Sequence, residues 1–417
     1  MSDSYDVVVI GAGAAGLFAA TRSAARGRRT LLLEKNRKPG VKILMSGGTR
    51  CNLTHATDAR GIVEAFGDQG PFLHSALAAL GPDELVAMFE AEGVATKIEE
   101  TGKVFPVSNR ALDVLLAARR MLDRSGAELR LGEAVVDLHR DGDGYVVQTE
   151  HGPIRTDKVI ITVGGPSYPG CGTRGDGYAW AKSLGHKIIP PRPALVPLTS
   201  PAAWVSGLSG VTIPDVKIEL TPSEQGRPAP GARPAATRRG SFLFTHVGLS
   251  SPAPMDISRV VTAKPQAGGW QAVCDFVPNM HDQRITEHLQ SAATSDGRRG
   301  VLNLVAELVP RRLAESIMTR FHIPTQRNAA ELSRAERAAL VDGLKRTAIP
   351  INGTLGFKKA EVTAGGVSLN EVDSRTMQSK IAPNLYFAGE ILDLDGPIGG
   401  YNFQSAFSTG WLAGEKA

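Results

Sequence analysis

The chain has few cysteines, and their number and spacing exclude a disulfide framework. Among 417 residues there are three, Cys51, Cys171 and Cys274, and no two of them form a C-x-x-C pair. An odd number at wide spacing argues against paired disulfides and against a zinc site, so we expect no bound metal. Each thiol is expected to be a small buried apolar side chain, with a redox role for Cys51 as the alternative.

The sequence also lacks a long apolar run and a basic stripe. No segment approaches the roughly 18 apolar residues of a membrane span, and Met1–Ser4 carries no basic leader region, so we expect no membrane partner and a cytoplasmic location. The net charge is +5 and aromatic residues make up 6% of the chain. Basic residues occur in scattered pairs such as Arg238-Arg239, which predicts no nucleic-acid partner. The arginines between residues 222 and 239 keep RNA binding open as an alternative.

A strand, a glycine turn and a helix open the chain. Residues 5–35 are YDVVVIGAGAAGLFAATRSAARGRRTLLLEK, in which Asp6–Ile10 predicts a parallel strand buried on both faces. Gly11 allows a sharp turn off the strand, Gly13 removes a Cβ where a pyrophosphate would approach, and Gly16 lets helix and strand pack closely. This order of elements predicts that phosphates bind at the start of the helix.

The same segment ends on an acidic residue at the end of a second strand. A helix is predicted from Leu17 to Ala25 and a buried strand over Thr30–Leu33, after which Glu34 follows at once. A carboxylate at this position accepts hydrogen bonds from the ribose hydroxyls of an adenosine. Strand, glycine turn, helix and acid at this spacing together predict a bound dinucleotide.

Glycines mark two more strand ends later in the chain. Val159–Val163 precedes Gly164-Gly165, Asn384–Glu390 is a strand that ends on a glycine and an acid, and Gly399–Tyr401 leads into a predicted helix, Asn402–Ala413. Cofactor signals in both the first and the last part of the chain favour FAD over a simple nicotinamide cofactor. Since no second strand–GxGxxG–helix unit is present, NAD(P)H would bind only transiently.

The segment after Glu34 is rich in hydrogen-bond donors. Lys35–His55 predicts a loop without an ordinary helix, forming a second arm around the cofactor with Arg50 facing the pyrophosphate or flavin. Residues 60–126 are predicted to be mostly helical, and the strands over residues 129–149 are predicted to form a β-meander laid across the main sheet.

Composition changes in the middle of the chain. Pro190–Pro193 predicts a linker, after which short strands broken by proline and glycine predict a β-rich domain up to Val277. Pro222–Arg239 is predicted to be an exposed, mobile loop within it. Apolar residues then recur at helical intervals over residues 281–347, which predicts several short amphipathic helices.

Five separated motifs resemble one known family. They are SGGTRCNLT (Ser46–Thr54), VGGPSYPGCGTRGDGY (Val163–Tyr178), FLFTHVGLSSP (Phe242–Pro252), EVTAGGV (Glu361–Val367) and NLYFAGEILDLDGPIGGYNFQSAFSTG (Asn384–Gly410). Together they resemble the aminoacetone-oxidase-like, or 3-dehydro-bile-acid-reductase-like, FAD-binding flavoproteins. The chain departs from that family where Thr49 and Ser251 replace glycines and where Cys171 replaces a small polar residue.

The resemblance implies an α/β fold class in which a Rossmann-type FAD-binding domain, split between the N- and C-terminal parts, carries an inserted β-barrel-like domain and a helical insert. The expected boundaries are 1–192 for the first part of the FAD domain, 193–280 for the β-rich domain, 281–347 for the helical insert, 348–360 for the return through the β-rich domain, and 361–417 for the second part of the FAD domain.

The resemblance also implies an activity and a set of site residues. It implies an FAD-dependent oxidoreductase that uses NAD(P)H to reduce an activated C=C bond of an apolar small molecule; a small-amine oxidase and an RNA-modifying flavoprotein are the alternatives. Tyr401 and His246 are the expected catalytic residues, with the substrate between them. The expected cofactor-binding residues are Gly11, Gly13, Ala14, Ala15, Gly16, Glu34, Lys35, Gly48, Arg50, Cys51, Asn52, Val135, Gly164, Gly165, Gly389, Glu390, Gly399, Gly400, Tyr401 and Asn402.

Overall fold

The chain divides into two compact units, each with its own hydrophobic core. The structure is a computed structural model that describes residues 4–266 and 268–417. Unit 1 comprises Met1–Pro193 and Glu361–Ala417, and unit 2 comprises Ala194–Ala360. The further division of unit 2 into a β-rich domain and a separate helical insert stays a prediction.

The strands follow the predicted buried apolar runs and add several short pairs. In chain order they are β1 (Ser4–Ile10), β2 (Thr30–Glu34), β3 (Thr54–His55), β4 (Thr96–Ile98), β5 (Lys103–Pro106), β6 (Glu128–Leu131), β7 (Val135–Asp141), β8 (Gly144–Thr149), β9 (Gly152–Ile161), β10 (Ile188–Ala194), β11 (Leu198–Thr199), β12 (Thr212–Glu224), β13 (Arg227–Pro228), β14 (Ala236–Thr245), β15 (Gly248–Ser250), β16 (Trp270–Asp275), β17 (Thr347–Ile351), β18 (Gly353–Thr354), β19 (Val362–Val367) and β20 (Leu385–Phe387).

The helices are α1 (Ala14–Ala25), α2 (Val41–Met45), α3 (Ala59–Ala65), α4 (His74–Ala79), α5 (Pro82–Ala91), α6 (Ala111–Ser125), α7 (Gly177–Ser183), α8 (Ala203–Gly207), α9 (Pro252–Ala263), α10 (Asp282–Ser295), α11 (Val301–Ala306), α12 (Arg311–Arg320), α13 (Arg334–Lys345) and α14 (Tyr401–Lys416). In the described residues, none of them is long and apolar enough to span a membrane.

A parallel sheet forms the centre of unit 1. Its strands lie in the order β6-β2-β1-β9, and β20 pairs in parallel with the second half of β9. Val9 is in register with Leu32 on one side and Ile160 on the other, and all three side chains are fully buried. The predicted Rossmann-type α/β fold of this part is confirmed. Burial on both faces explains why the apolar runs show no polar alternation.

The β-meander forms an edge of this same sheet. β7 and β8 are antiparallel to each other, and β8 pairs with the first half of β9, Gly152 against Thr149. The prediction that the meander lies across the main sheet is therefore wrong. Because β9 is long enough to pair with β8 and β20 along successive halves, one continuous sheet accommodates both directions.

The first and last helices of unit 1 pack closely through small residues. A Cβ on Gly410 would lie 2.2 Å from the carbonyl oxygen of Ala15, and a Cβ on Gly414 would lie 2.2 Å from that of Ala19. Beside them the rings of Phe18 and Phe407 are 4.5 Å apart. The C-terminal part of the chain is therefore fixed against the helix that follows the first glycine turn.

Three local predictions are wrong. Lys35–His55 contains the helix α2 and a 3-10 turn, Ser46–Thr49, instead of a continuous loop. The expected linker Pro190–Pro193 lies in β10, which pairs with β19 in a two-stranded sheet, where an edge position tolerates proline. The expected loop Pro222–Arg239 contains the end of β12, all of β13 and the start of β14.

An eight-stranded antiparallel sheet organises unit 2. Its order is β17-β16-β12-β14-β15-β11-β18, with β13 attached to β12. Strands and helices share one apolar core, in which Phe242, Phe244, Ile285 and Leu313 are fully buried. The first and last strands pair with each other, Leu198 against Thr354, so the two ends of unit 2 are adjacent.

Candidate functional site

The carboxyl ends of β1 and β9 form a crevice in the parallel sheet. β2 and β6 lie on one side of β1, and β9 and β20 lie on the other. Ligands of open α/β sheets bind where the strand order reverses in this way. The residues that follow the two strands meet there, since a Cβ on Gly11 would lie 3.1 Å from the carbonyl oxygen of Thr162.

The first glycine turn has the geometry that its sequence predicts. Gly11 has φ +100°, a conformation that L residues rarely adopt. A Cβ on Gly16 would lie 1.8 Å from the carbonyl oxygen of Gly11, so helix and turn touch without a side chain between them. A Cβ on Gly13 meets nothing within 4 Å. The space above Gly13 and the free N–H groups at the start of α1 form a cradle for an anion.

Glu34 is held in place beside this turn. Its carboxylate accepts a hydrogen bond from the backbone N–H of Ala12 at 2.8 Å and another from that of Asn36 at 2.9 Å. The residue is only 9% exposed. Each carboxylate oxygen keeps a lone pair for a ribose hydroxyl, so the backbone fixes the carboxylate in the orientation that the predicted role requires.

A second glycine-containing turn carries several left-handed residues in succession. Gly47, Gly48, Thr49 and Cys51 all have positive φ. Arg50 between them pairs with Glu99 at 2.6 Å and lies 3.9 Å from the centre of the Phe105 ring. In this structure the guanidinium is engaged by protein groups, and its contact with a pyrophosphate or flavin stays a prediction.

The cysteines are buried, as predicted. Cys51, Cys171 and Cys274 are free thiols, and burial raises the pKa of Cys51 to about 12. That thiol is therefore protonated at neutral pH, which makes it a poor nucleophile. The sulfur of Cys171 lies 3.3 Å from that of Met45.

A cluster of charged and polar side chains connects Glu390, which follows β20, with Lys42 in the segment Lys35–His55. Glu390 pairs with Lys42 and accepts hydrogen bonds from the hydroxyl of Ser167 and, at 3.0 Å, from the backbone N–H of Thr363. Lys42 also lies 3.0 Å from the hydroxyl of Ser167. Of these residues, only Glu390 was expected at the site. Ser167 and Thr363 stand in two of the five motifs and Lys42 in the segment after Glu34, but nothing in the sequence indicates that these three side chains meet at Glu390.

The last glycine turn is pressed against β3. Gly400 has φ +95°, and a Cβ there would lie 2.4 Å from the backbone of Thr54. The rings of His55 and Tyr401 are stacked, 4.7 Å apart at 20°, and Nδ1 of His55 lies 3.1 Å from the carbonyl oxygen of Gly399. A neutral imidazole that donates from Nδ1 carries its lone pair on Nε2. Sequence reasoning missed His55, whose only signal is its position after SGGTRCNLT.

Several expected cofactor residues make contacts within the protein. The side-chain oxygen of Asn402 accepts from Gly396 N–H at 2.8 Å, and its amide donates to Gly396 O at 2.9 Å. Lys35 pairs with Asp176. The N–H of Gly389 donates to the hydroxyl of Thr409 at 3.0 Å. Asn402 thus fixes the backbone of Gly396, which precedes the last glycine turn. Its position at the start of a helix did not indicate this role.

The remaining expected residues lie in different parts of the fold. Gly164 and Gly165 follow β9 at the crevice, and a Cβ on Gly165 would lie 2.4 Å from the hydroxyl of Thr363. Val135 begins β7. His246 is exposed in the turn between β14 and β15 of unit 2, which Thr245 closes by accepting from Gly248 N–H at 3.0 Å. Its proximity to Tyr401 stays a prediction.

Two buried polar atoms near the glycine turns lack a hydrogen-bond partner in the described part of the chain. Within residues 4–266 and 268–417, Oδ1 of Asn52 and Oγ1 of Thr54 have no hydrogen-bond partner, although the residues are 8% and 0% exposed. Gly47 lies beside Asn52 and Gly400 beside Thr54, so the two atoms lie next to the second and the last glycine turn. With the cradle at Gly13 and the acid Glu34, these groups supply the donors and acceptors that a dinucleotide needs.

The parallel sheet, the glycine cradle and the fixed acid define an α/β dinucleotide-binding protein. Residues 5–416 match the family described as HI0933-like protein Rossmann domain. The chain belongs to this family of FAD-binding proteins, and it is an FAD-dependent oxidoreductase.

Relatives that match this chain over its full length include two bacterial proteins of different names. The chain is 33% identical over 419 residues to the ribosomal RNA dihydrouridine synthase of Escherichia coli (strain K12), covering 99% of this chain and 98% of that protein. It is 31% identical over 413 residues to the 3-dehydro-bile acid delta(4,6)-reductase of Clostridium scindens, covering 98% of both.

A solved structure shares the fold. The 3-ketosteroid-delta4-(5alpha)-dehydrogenase of Rhodococcus jostii RHA1, in complex with 4-androstene-3,17-dione, superposes with a TM-score of 0.51 at 14% identity and covers 100% of this chain and 97% of that one. At this identity the likeness describes architecture alone.

Proposed function

We propose that this protein reduces a C=C bond conjugated to a carbonyl group, with electrons from transiently bound NAD(P)H. The observation that supports this reaction is the full-length similarity to two proteins whose names denote it, a dihydrouridine synthase and a delta(4,6)-reductase. Uracil and a 3-oxo-Δ4 steroid both contain a C=C bond next to a carbonyl, so hydride adds to the β carbon and a proton to the α carbon. FAD, when bound, supplies the hydride.

The chain's own residues supply the polar environment for this reaction. The 16-residue helix α14 begins at Tyr401 directly after Gly400, and its N-terminal partial positive charge stabilises negative charge placed before it. Tyr401 carries a hydroxyl that can donate the proton, and the stacked ring of His55 restricts its orientation. Tyr401 is therefore the proposed acid, with His246 retained as a second one.

We propose a uridine of ribosomal RNA as the preferred acceptor. The similarity to the E. coli relative and the net charge of +5 support this acceptor. The scattered positions of the basic residues are the reason for the opposite expectation, that the protein has no nucleic-acid partner. A small apolar enone is the second candidate, because the Clostridium scindens relative is named for such a reaction.

The first experiment identifies the electron donor. We expect the purified protein to be yellow, to release FAD on denaturation, and to lose its visible flavin absorbance when mixed anaerobically with NADH or NADPH. Bleaching by small amines and not by either nicotinamide would replace the reductase with the oxidase.

The second experiment identifies the acceptor. Unmodified ribosomal RNA transcripts and a 3-oxo-Δ4 steroid are each incubated with the protein and NAD(P)H, and the products are analysed by mass spectrometry for the gain of two hydrogens. Tyr401→Phe should slow product formation and leave the flavin spectrum unchanged. Product from the steroid alone would favour the small-molecule reductase.

A further inference from the structure

We propose that unit 2 holds the RNA through an arginine-bearing hairpin formed by β12, β13 and the start of β14. The proposal rests on the proposed RNA acceptor and names the surface that binds it. This hairpin, defined here as residues 220–239, carries Arg227, Arg233, Arg238 and Arg239. Phosphate binding requires exposed cations without competing carboxylates, and three of these four arginines meet that requirement.

The positive charge of the chain is concentrated in unit 2. Residues 194–360 contain 20 Lys and Arg and 13 Asp and Glu, a net charge of +7, whereas the whole chain has +5. Unit 1 therefore carries a net charge of −2. A polyanion is attracted to unit 2 over distances comparable to the Debye length, about 8 Å at physiological salt.

The hairpin presents its arginines from an ordered backbone. Ser223 is paired with Pro228 across the β12–β13 turn, and Ile218 with Arg238 across β12 and β14. Between these pairs, the N–H of Ala235 donates to the carbonyl oxygen of Leu220 at 2.8 Å. Fixed positions lower the entropy cost of ordering the arginines on a ligand.

Three of the four arginines are free to contact phosphates. Arg239 is engaged, because it pairs with Asp215 at 2.6 Å. Arg227, Arg233 and Arg238 are exposed, and none of the described carboxylates lies within ion-pair distance of them. Glu224 is opposite Arg227 in the strand register and forms no ion pair with it. The segment 227–239 itself contains no acidic residue.

The test measures RNA binding as a function of salt. Full-length protein with bound FAD is titrated into fluorescently labelled ribosomal RNA transcripts at increasing KCl concentration. The triple variant Arg227→Gln, Arg233→Gln, Arg238→Gln removes three cations. We expect about 10- to 50-fold weaker binding near physiological salt, and a slope of log affinity against log salt that is smaller by about 2 to 3.

A matched control removes the same charge elsewhere in unit 2. Arg284, Arg298 and Arg334 are exposed and have no ion pair within the described residues. Their triple Gln variant should retain most of the affinity. Equal losses of affinity in the two triple variants would overturn the proposal, because binding would then depend on net charge alone. Full affinity in the hairpin variant would also overturn it.

Two further readouts separate this proposal from the proposed function. NAD(P)H should bleach the flavin in the hairpin variant as in the unmodified protein, because none of the three substituted arginines is an expected cofactor-binding or catalytic residue. If polyglutamate competes for the hairpin as well as RNA does, the surface binds acidic proteins and the RNA proposal is wrong. If uridine within RNA is reduced at the same rate by the hairpin variant, the surface is wrong while the reaction stands.

Discussion

At two positions where the family that this chain resembles has glycine, this chain has a residue with a side chain in a left-handed backbone conformation. Thr49 has φ +69° and Ser251 has φ +79°. With ψ 168°, Ser251 lies in a region that is occupied almost only by glycine, and a side chain there costs about 1–3 kcal/mol. These departures are visible in the sequence, but their cost follows only from the backbone angles.

Ser251→Gly should therefore stabilise the protein. Its hydroxyl makes no capping bond to α9, so its removal costs no hydrogen bond. Relief of strain, less the entropy that glycine adds to the unfolded chain, should raise the free energy of unfolding by roughly 1 kcal/mol. Urea unfolding measures it. As a control, Ser250→Gly in β15 should be destabilising by roughly 0.5–1 kcal/mol. Similar effects of the two variants would contradict the assignment of backbone strain to Ser251.

Glu34→Gln tests the acid at the end of β2. The amide group keeps the size of the side chain and removes its charge. It also places an NH₂ group against one of the two backbone N–H donors, of Ala12 or Asn36. FAD binding should weaken by roughly 1.5–3 kcal/mol, about 10- to 150-fold, measured by FAD titration of the apoprotein. Glu150→Gln, at an exposed turn, is the control. Unchanged affinity in the Glu34 variant would place the ribose elsewhere.

Elements whose signals are local could be predicted from the sequence, and those that depend on distant pairing could not. Val7–Ile10 and the following glycines specify strand, turn and helix within a dozen residues. The strand β10 contains three prolines and exists because β19 pairs with it. In the same way, the cluster around Glu390 assembles from segments that only the fold brings together.

The contact between β3 and the last glycine turn predicts a large effect of Gly400→Ala. The new Cβ would meet the backbone of Thr54, which cannot move aside as a side chain can. We expect loss of bound flavin and a lower unfolding midpoint. Gly126→Ala is the matched control, because Gly126 has φ +83° with nothing within 4 Å of its Cβ; it should cost about 1–2 kcal/mol and retain flavin. Flavin retention in both variants would refute the contact.

The junction between α5 and α6 predicts a pH dependence of stability. Hydrogen bonds and charge from Arg124, with a second contribution from Arg120, lower the pKa of Glu92 from 4.5. Because the pKa is lower in the folded than in the unfolded state, the ionised carboxylate stabilises the fold at pH values above the unfolded-state pKa. This stabilisation is lost as the pH falls through the folded-state pKa. Glu92→Gln should therefore lower the unfolding midpoint at pH 7 and have a smaller effect at pH 3. An equal loss at both values would exclude the ionised carboxylate as the cause.

At the scale of the whole molecule, unit 2 has what it needs to fold alone. Its apolar core contains no residue of unit 1, and its terminal strands β11 and β18 pair with each other. We expect residues 194–360 to unfold cooperatively in urea as a separate protein, followed by circular dichroism and tryptophan fluorescence. A gradual, non-cooperative transition would show that unit 1 is required.

The adjacent ends of unit 2 have a consequence for how such a chain can diversify. In unit 1 the strands that lead out and back, β10 and β19, also pair with each other. When a contiguous stretch leaves and returns through neighbouring strands, the entropic cost of closing it rises only slowly with its length. One gene segment can thus be exchanged for its counterpart from a relative while the segments that form the glycine cradle are inherited unchanged.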